Sequence, residues 1–145
     1  FYNREGWTPR TTDTPNANQF RNTIKSLGYS EKGKELANWG DISSTMRDLA
    51  TGLFTFIKND PSTKGVSIII TGGNDTYHQT ELDYRSPHVY GNGIDFTVYP
   101  ETKRDTVKLA IEKFKNGNQG LMFDDEYKNP SEKSQGGGHF HIYVA

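Results

Sequence analysis

Histidines are the residues of this sequence best suited to metal or acid–base chemistry, because the chain contains four of them and no cysteine. Three of them, His88, His139 and His141, lie within or beside predicted strands and close to glycines. Alternate side chains of a strand project from the same face, so His139 and His141 are predicted to point into one space. Both can therefore address one metal site. His78 is predicted to be a loop residue without a role.

A carboxylate follows His88 at a distance that a turn can close. In the run Ser86-Pro-His88-Val-Tyr-Gly91-Asn-Gly93-Ile-Asp95, two glycines allow the backbone to fold between the histidine and the aspartate. Two histidines and one carboxylate suit catalytic zinc, because the fourth position stays open for a water whose pKa the metal lowers toward about 7. The same three ligands also suit non-haem iron, which remains an alternative.

Two motifs carry a family resemblance. The pattern Ser86-x-His88-x-x-Gly91-x-Gly93-x-Asp95 resembles the first metal motif of the D-Ala-D-Ala carboxypeptidase and L-alanyl-D-glutamate endopeptidase family, with Gly93 in place of the usual alanine. A second element, Gly-His-Phe-His at 138–141, resembles the His-x-His element of the wider group that includes lysostaphin-type endopeptidases and Hedgehog domains. The resemblance covers roughly residues 66–145 and implies an antiparallel sheet that holds zinc on one face.

The resemblance also implies roles for the candidate residues. Zinc is expected to be held by His88, Asp95 and His141. His139 is the first choice for the general base. Family members of the carboxypeptidase type carry an acidic general base three positions before the last histidine, where this chain has Gly138. The alternatives to His139 as the base are three neighbouring acids: Asp124, Asp125 and Glu126.

A second departure concerns substrate binding. The family commonly has an arginine in a segment after the strand that precedes the first motif, and this chain has Gly73-Asn74 there. Arg85 is the candidate replacement, and Ser86 is assigned to substrate binding with it.

The resulting prediction is a zinc metallopeptidase that hydrolyses amide bonds of the peptidoglycan stem peptide, as a carboxypeptidase or an endopeptidase. Such a protein is expected to be extracellular, periplasmic or associated with a phage virion, with peptidoglycan peptide as its partner. The alternative from another class is a non-hydrolytic zinc-containing module that binds or supports a larger assembly, such as a phage virion or a cell-wall complex. The absence of an acid at Gly138 and of an arginine near Asn74 favours that alternative.

Composition and charge exclude several other classes. Lys plus Arg number 17 against 18 acidic residues, and neither sign forms a long run, so no nucleic-acid partner is predicted. No apolar stretch approaches the roughly 20 residues needed to span a bilayer. The chain starts at Phe1 rather than Met and is expected to be a processed or excised piece. Its 145 residues are predicted to form one domain, helical over 1–60, with a metal-binding sheet over 65–145.

Hydrophobic periodicity predicts the helices that must position these residues. Helices are expected from Pro15 to about Gly28, from about Ile42 to Lys58 with Asp41 or Ser43 as cap, and over 103–116. A short helix is also predicted over 30–38.

Strands are predicted over 65–71, 93–99, 119–123 and 139–144, and the acidic segment 124–138 is predicted to be a loop. Helices come mostly first, and irregular loops separate the short strands. The chain is therefore expected to be α+β, with a small, mainly antiparallel sheet whose one face is covered by helices.

Overall fold

The computed structural model describes residues 15–32, 42–72, 93–127 and 138–144. These residues form an α+β structure with three α-helices and a five-stranded sheet. The elements are α1 (Pro15–Ser26), β1 (Ser30–Glu31), α2 (Ser44–Asn59), β2 (Ser67–Gly72), β3 (Gly93–Tyr99), α3 (Arg104–Asn116), β4 (Met122–Asp125) and β5 (Phe140–Tyr143). None of the helices in these ranges is long and apolar enough to cross a membrane.

Three of the four predicted helices are confirmed, because their boundary signals are local. Pro15 opens α1, where its fixed backbone angle and missing N–H are tolerated. Ser43 caps α2 by accepting a hydrogen bond from the backbone N–H of Met46 at 3.1 Å. Helix α3 ends at Asn116, immediately before Gly117, and carries lysines in its last turn.

The sheet has the order β1-β2-β3-β5-β4, and three of its four pairings are antiparallel. Strand β1 pairs with β2 in parallel, so the sheet is mixed. This pairing corrects the predicted helix over 30–38 at its start: Ser30 and Glu31 are extended and lie opposite Ile69 and Ile70. A short edge strand that pairs with a segment far away in the sequence produces no periodic hydrophobic pattern of its own. The remainder of that predicted helix lies outside the described residues.

The strand predicted over 119–123 is displaced along the chain. It begins at Met122 and continues to Asp125, so Asp124 and Asp125 belong to a strand rather than to the predicted loop. The reason is its pairing with β5, which places Asp124 opposite His141 and Asp125 opposite Phe140. Cross-strand partners stabilise this edge strand despite its acidic residues, which strands generally disfavour.

The two faces of the sheet differ in composition because side chains alternate along each strand. On one face Phe96 of β3 packs against Phe54 of α2, with ring centroids 5.1 Å apart, and against Phe140 of β5 at 5.7 Å. Helix α3 contacts the same face, since Lys108 forms an ion pair with Asp125 at 3.1 Å. Asp95 and His141 project from the opposite face, where polar side chains are gathered.

Candidate functional site

The register between β3 and β5 creates the centre of the site. Asp95 lies directly opposite His141, so the two side chains share a face although 46 residues separate them. The Nδ1 atom of His141 is 2.7 Å from the Oδ1 atom of Asp95. Asp95 is only 9% exposed, and a buried carboxylate requires hydrogen-bond or cation partners. Two of the three predicted zinc ligands are therefore adjacent.

A second histidine–carboxylate pair lies beside the first. The Nε2 atom of His139 is 2.5 Å from Oε2 of Glu126 and 3.6 Å from Oδ2 of Asp95. Asp95 thus has one carboxylate oxygen toward each histidine. One ligand atom from each of Asp95, Glu126 and His139 lies within 4.8 Å of the others. Among the described residues, this trio has the spacing of a possible metal-binding group.

Tyr143 supports the His141 ring on the same strand. Its ring stacks on the imidazole with a centroid separation of 4.9 Å and an interplanar angle of 24°. The two residues are two positions apart on β5 and therefore project from the same face. Burial, followed by the charge of Asp124, raises the pKa of Tyr143, so its phenol stays neutral near pH 7. The stacking limits rotation of the imidazole.

The electrostatic setting of His141 combines opposing effects. Burial is the largest and by itself disfavours the charged ring, but the hydrogen bond from His141 to Asp95 and the charge of Asp95 act in the other direction. The charges of Glu126 and Asp124 add to them, and the net result raises the pKa of His141 above its ordinary value of 6.5. In the absence of a metal, Asp95 thus favours the protonated form of the His141 ring.

This shift predicts a pH dependence for the zinc-free protein. Because the folded-state pKa of His141 is raised, its stabilising contribution is complete below the unfolded pKa and disappears as pH rises through the folded pKa. We expect the difference in free energy of unfolding between wild type and Asp95→Asn to be larger at about pH 6 than at about pH 9. Urea unfolding in the presence of a chelator measures it. A difference that stays constant or grows with pH contradicts the prediction.

Gly138 lies where the structure leaves no space for a side chain. A Cβ atom placed there would lie 2.8 Å from both Cα and Cδ1 of Tyr127, and backbone atoms this close cannot yield easily. No side chain fits at position 138 without moving the turn that follows β4. Glu126, which belongs to that turn, brings a carboxylate to His139 from the segment that follows β4.

The sequence therefore predicts part of the site but not the contact between Glu126 and His139. Asp95, His139 and His141 come together as predicted. Glu126 was only one of three alternative bases, and no local signal distinguishes it from its neighbours. Asp124 is exposed, and Asp125 forms an ion pair with Lys108 on the helix-covered face. The predicted ligand His88, the substrate-binding candidates Arg85 and Ser86, and His78 lie outside the described residues.

Chemically, the described site offers two imidazoles and two carboxylates on one sheet face. This set can bind a divalent cation through nitrogen and oxygen atoms, and a histidine beside a carboxylate can also accept and donate protons. No protein-family model, no curated protein and no solved structure matches this chain. The functional assignment below rests on the geometry of the site and on the motifs.

Proposed function

We propose that this chain is a zinc-dependent peptidase acting on the stem peptide of peptidoglycan, with zinc held by His88, Asp95 and His141. The observation that carries the proposal is the cross-strand contact between Asp95 and His141, at 2.7 Å between Oδ1 and Nδ1. It joins two positions that two separate motifs designate as ligands. A working site of this kind is expected outside the cytoplasm or on a phage virion, where peptidoglycan is accessible.

The donor atoms fit zinc. Imidazole nitrogen and carboxylate oxygen are the ligands of catalytic zinc in a chain without cysteine, and three protein ligands leave one position open. Asp95 lies in the middle of β3 between two fully buried residues, Ile94 and Phe96, where a carboxylate without a compensating partner is costly. A metal ion would compensate that charge, and in its absence the carboxylate has the hydrogen bond with His141.

The protein's own residues supply orientation and proton transfer. Zinc, when bound, supplies a Lewis acid that polarises the scissile carbonyl and activates water for attack. His139 is half-buried beside the predicted ligands and accepts a proton from the attacking water, then delivers it to the leaving amine. Amide hydrolysis then proceeds without a covalent intermediate on the enzyme.

The contact between Glu126 and His139 weakens the argument for a non-hydrolytic zinc module. That argument relied on the lack of an acid at Gly138 and of an arginine near Asn74, and the contact answers only the first of these. The site nevertheless contains a carboxylate 2.5 Å from His139. A module that used zinc only as a structural ion would have no need of a second histidine–carboxylate pair beside it.

The test combines metal analysis with release of peptide from purified peptidoglycan. We expect about one zinc per chain, loss of release after chelation and recovery when zinc is returned. His139→Ala is expected to retain zinc and to slow release by about 100-fold or more, since a positioned acid–base group contributes about 10²–10⁴-fold. Asp48→Asn, at a side chain that is 70% exposed, is the control and should match wild type.

The outcomes separate the alternatives. Mass spectrometry of the products distinguishes terminal D-Ala, expected from a carboxypeptidase, from larger fragments, expected from an endopeptidase. Zinc without any release by the wild type would favour the non-hydrolytic module. Iron in place of zinc would favour the alternative metal, and a chain that binds neither would contradict the proposal.

A further inference from the structure

The contact between Glu126 and His139, 2.5 Å from Oε2 to Nε2, places a carboxylate beside one nitrogen of the imidazole. An ionised carboxylate only accepts hydrogen bonds, so Glu126 favours the form of the ring in which Nε2 carries a proton. In the neutral ring, Nδ1 is then the nitrogen with the free lone pair. Asp95 is farther from the same Nε2, at 3.6 Å, and is already bonded to His141. Glu126 is therefore the principal partner of His139.

The turn that carries Glu126 is held by its neighbour Tyr127. The Tyr127 hydroxyl accepts a hydrogen bond from the backbone N–H of Val98 at 3.0 Å, beyond the point where β5 pairs with β3. Its ring packs edge-to-face on Phe140, with centroids 4.9 Å apart, and the Arg104 guanidinium lies 4.6 Å from the ring centroid. Tyr127 is thus tied to β3, β5 and α3 together.

A second set of contacts holds the backbone of the same turn. The N–H of Tyr127 donates to Oδ1 of Asp125 at 3.1 Å, and the other oxygen of Asp125 accepts from Lys108 at 3.1 Å. On the opposite side, Gly138 packs directly against Tyr127, leaving no space for a Cβ. Gly138 immediately precedes His139. The close packing therefore sets the distance between the turn and the histidine.

From these contacts we propose that Glu126 is a positioning residue, which holds His139 with Nε2 protonated and with its ring fixed beside the proposed metal ligands. The contact of Tyr127 with Gly138 keeps Glu126 in the position from which it reaches His139. The catalytic consequence rests on the proposed peptidase function. The contact between Glu126 and His139 does not depend on that function, so it is measured separately from activity.

The first experiment is proton–nitrogen NMR of the full chain labelled with ¹⁵N-histidine, with zinc and with chelator. We expect a downfield imidazole proton correlated with Nε2 of His139, assigned by its disappearance in His139→Ala. Glu126→Ala should remove this signal. The control Glu112→Ala, on the exposed side of α3, should leave it unchanged. Absence of the signal from wild type, or its persistence in Glu126→Ala, would overturn the proposal.

The second experiment separates positioning from metal binding and from general stability. Glu126→Ala should lower kcat by about 10–100-fold, as loss of an orienting partner does, with KM and zinc affinity changed less than about threefold. In a His139→Ala background the same change should have almost no further effect, because Glu126 acts through His139. Equal losses in both backgrounds would show a merely structural role, and zinc loss in Glu126→Ala would make Glu126 a ligand.

The packing part of the proposal has its own matched pair of variants. Gly138→Ala should displace the turn, weaken the Nε2 signal and lower kcat, while zinc is retained. Gly117→Ala is the control, because a Cβ at Gly117 meets no atom within 4 Å. A Gly138→Ala protein with the wild-type signal would contradict the packing role. If wild type hydrolyses no peptide, the proposed function fails, and the NMR signal still decides whether Glu126 holds His139.

Discussion

Asp95→Asn is expected to fold and to lose zinc, with an affinity at least about 100-fold weaker, because loss of a mere outer-shell partner already costs about 10–100-fold. The change is nearly isosteric, so the packing of Ile94 and Phe96 on the other face of β3 is preserved. The neutral amide, however, no longer supplies an anionic ligand, and it no longer places a negative charge 2.7 Å from the Nδ1 atom of His141. Peptide release should decrease in parallel. Equilibrium competition with a chromogenic chelator measures the affinity.

Asp124→Asn is the matched control for this change. Asp124 lies opposite His141 on the other neighbouring strand, but its side chain is exposed. Its charge acts on His141 through solvent, so zinc affinity should change less than about threefold. If Asp124→Asn and Asp95→Asn weakened zinc binding equally, the site would respond to total charge rather than to coordination, and the assignment of Asp95 as a ligand would be wrong.

Phe54→Ala is expected to lower the free energy of unfolding by about 3–5 kcal/mol, since truncation of a buried Phe removes its apolar contacts and leaves a cavity. The Phe54 side chain is fully buried, and its ring lies 5.1 Å from that of Phe96, 6.1 Å from that of Phe20 and 6.4 Å from that of Tyr29. It therefore connects α1 and α2 to the sheet strand that carries Asp95. Urea or thermal unfolding measures the loss.

Leu109→Ala is the control for the core prediction. Leu109 lies on α3 and is 65% exposed, so its truncation should change the free energy of unfolding by no more than about 0.5 kcal/mol. A loss of less than about 1 kcal/mol for Phe54→Ala would mean that this aromatic cluster relaxes around the deletion, contrary to the close packing expected of a core.

The elements predicted correctly are those whose signals are local in the chain. Helix α2 has a capping serine, Ser43, and an apolar stripe at helical spacing, and both depend only on residues within a few turns. Strand β3 was predicted with its observed bounds because Gly93 and Pro100 flank a β-branched and aromatic run. The predictions that failed, at Ser30 and Glu31 and at the bounds of β4, concern edge strands that depend on a distant partner.

The sequence by itself determined the residue types available for chemistry, the alternation that puts His139 and His141 on one side of a strand, and the motif that designates Asp95. Tertiary structure alone decided the contacts among them. The pairing of Asp95 with His141 depends on a register in which a shift of one residue would send one side chain to the opposite face. The contact of Glu126 with His139 depends on how closely Gly138 approaches the turn, and no local spacing encodes that distance.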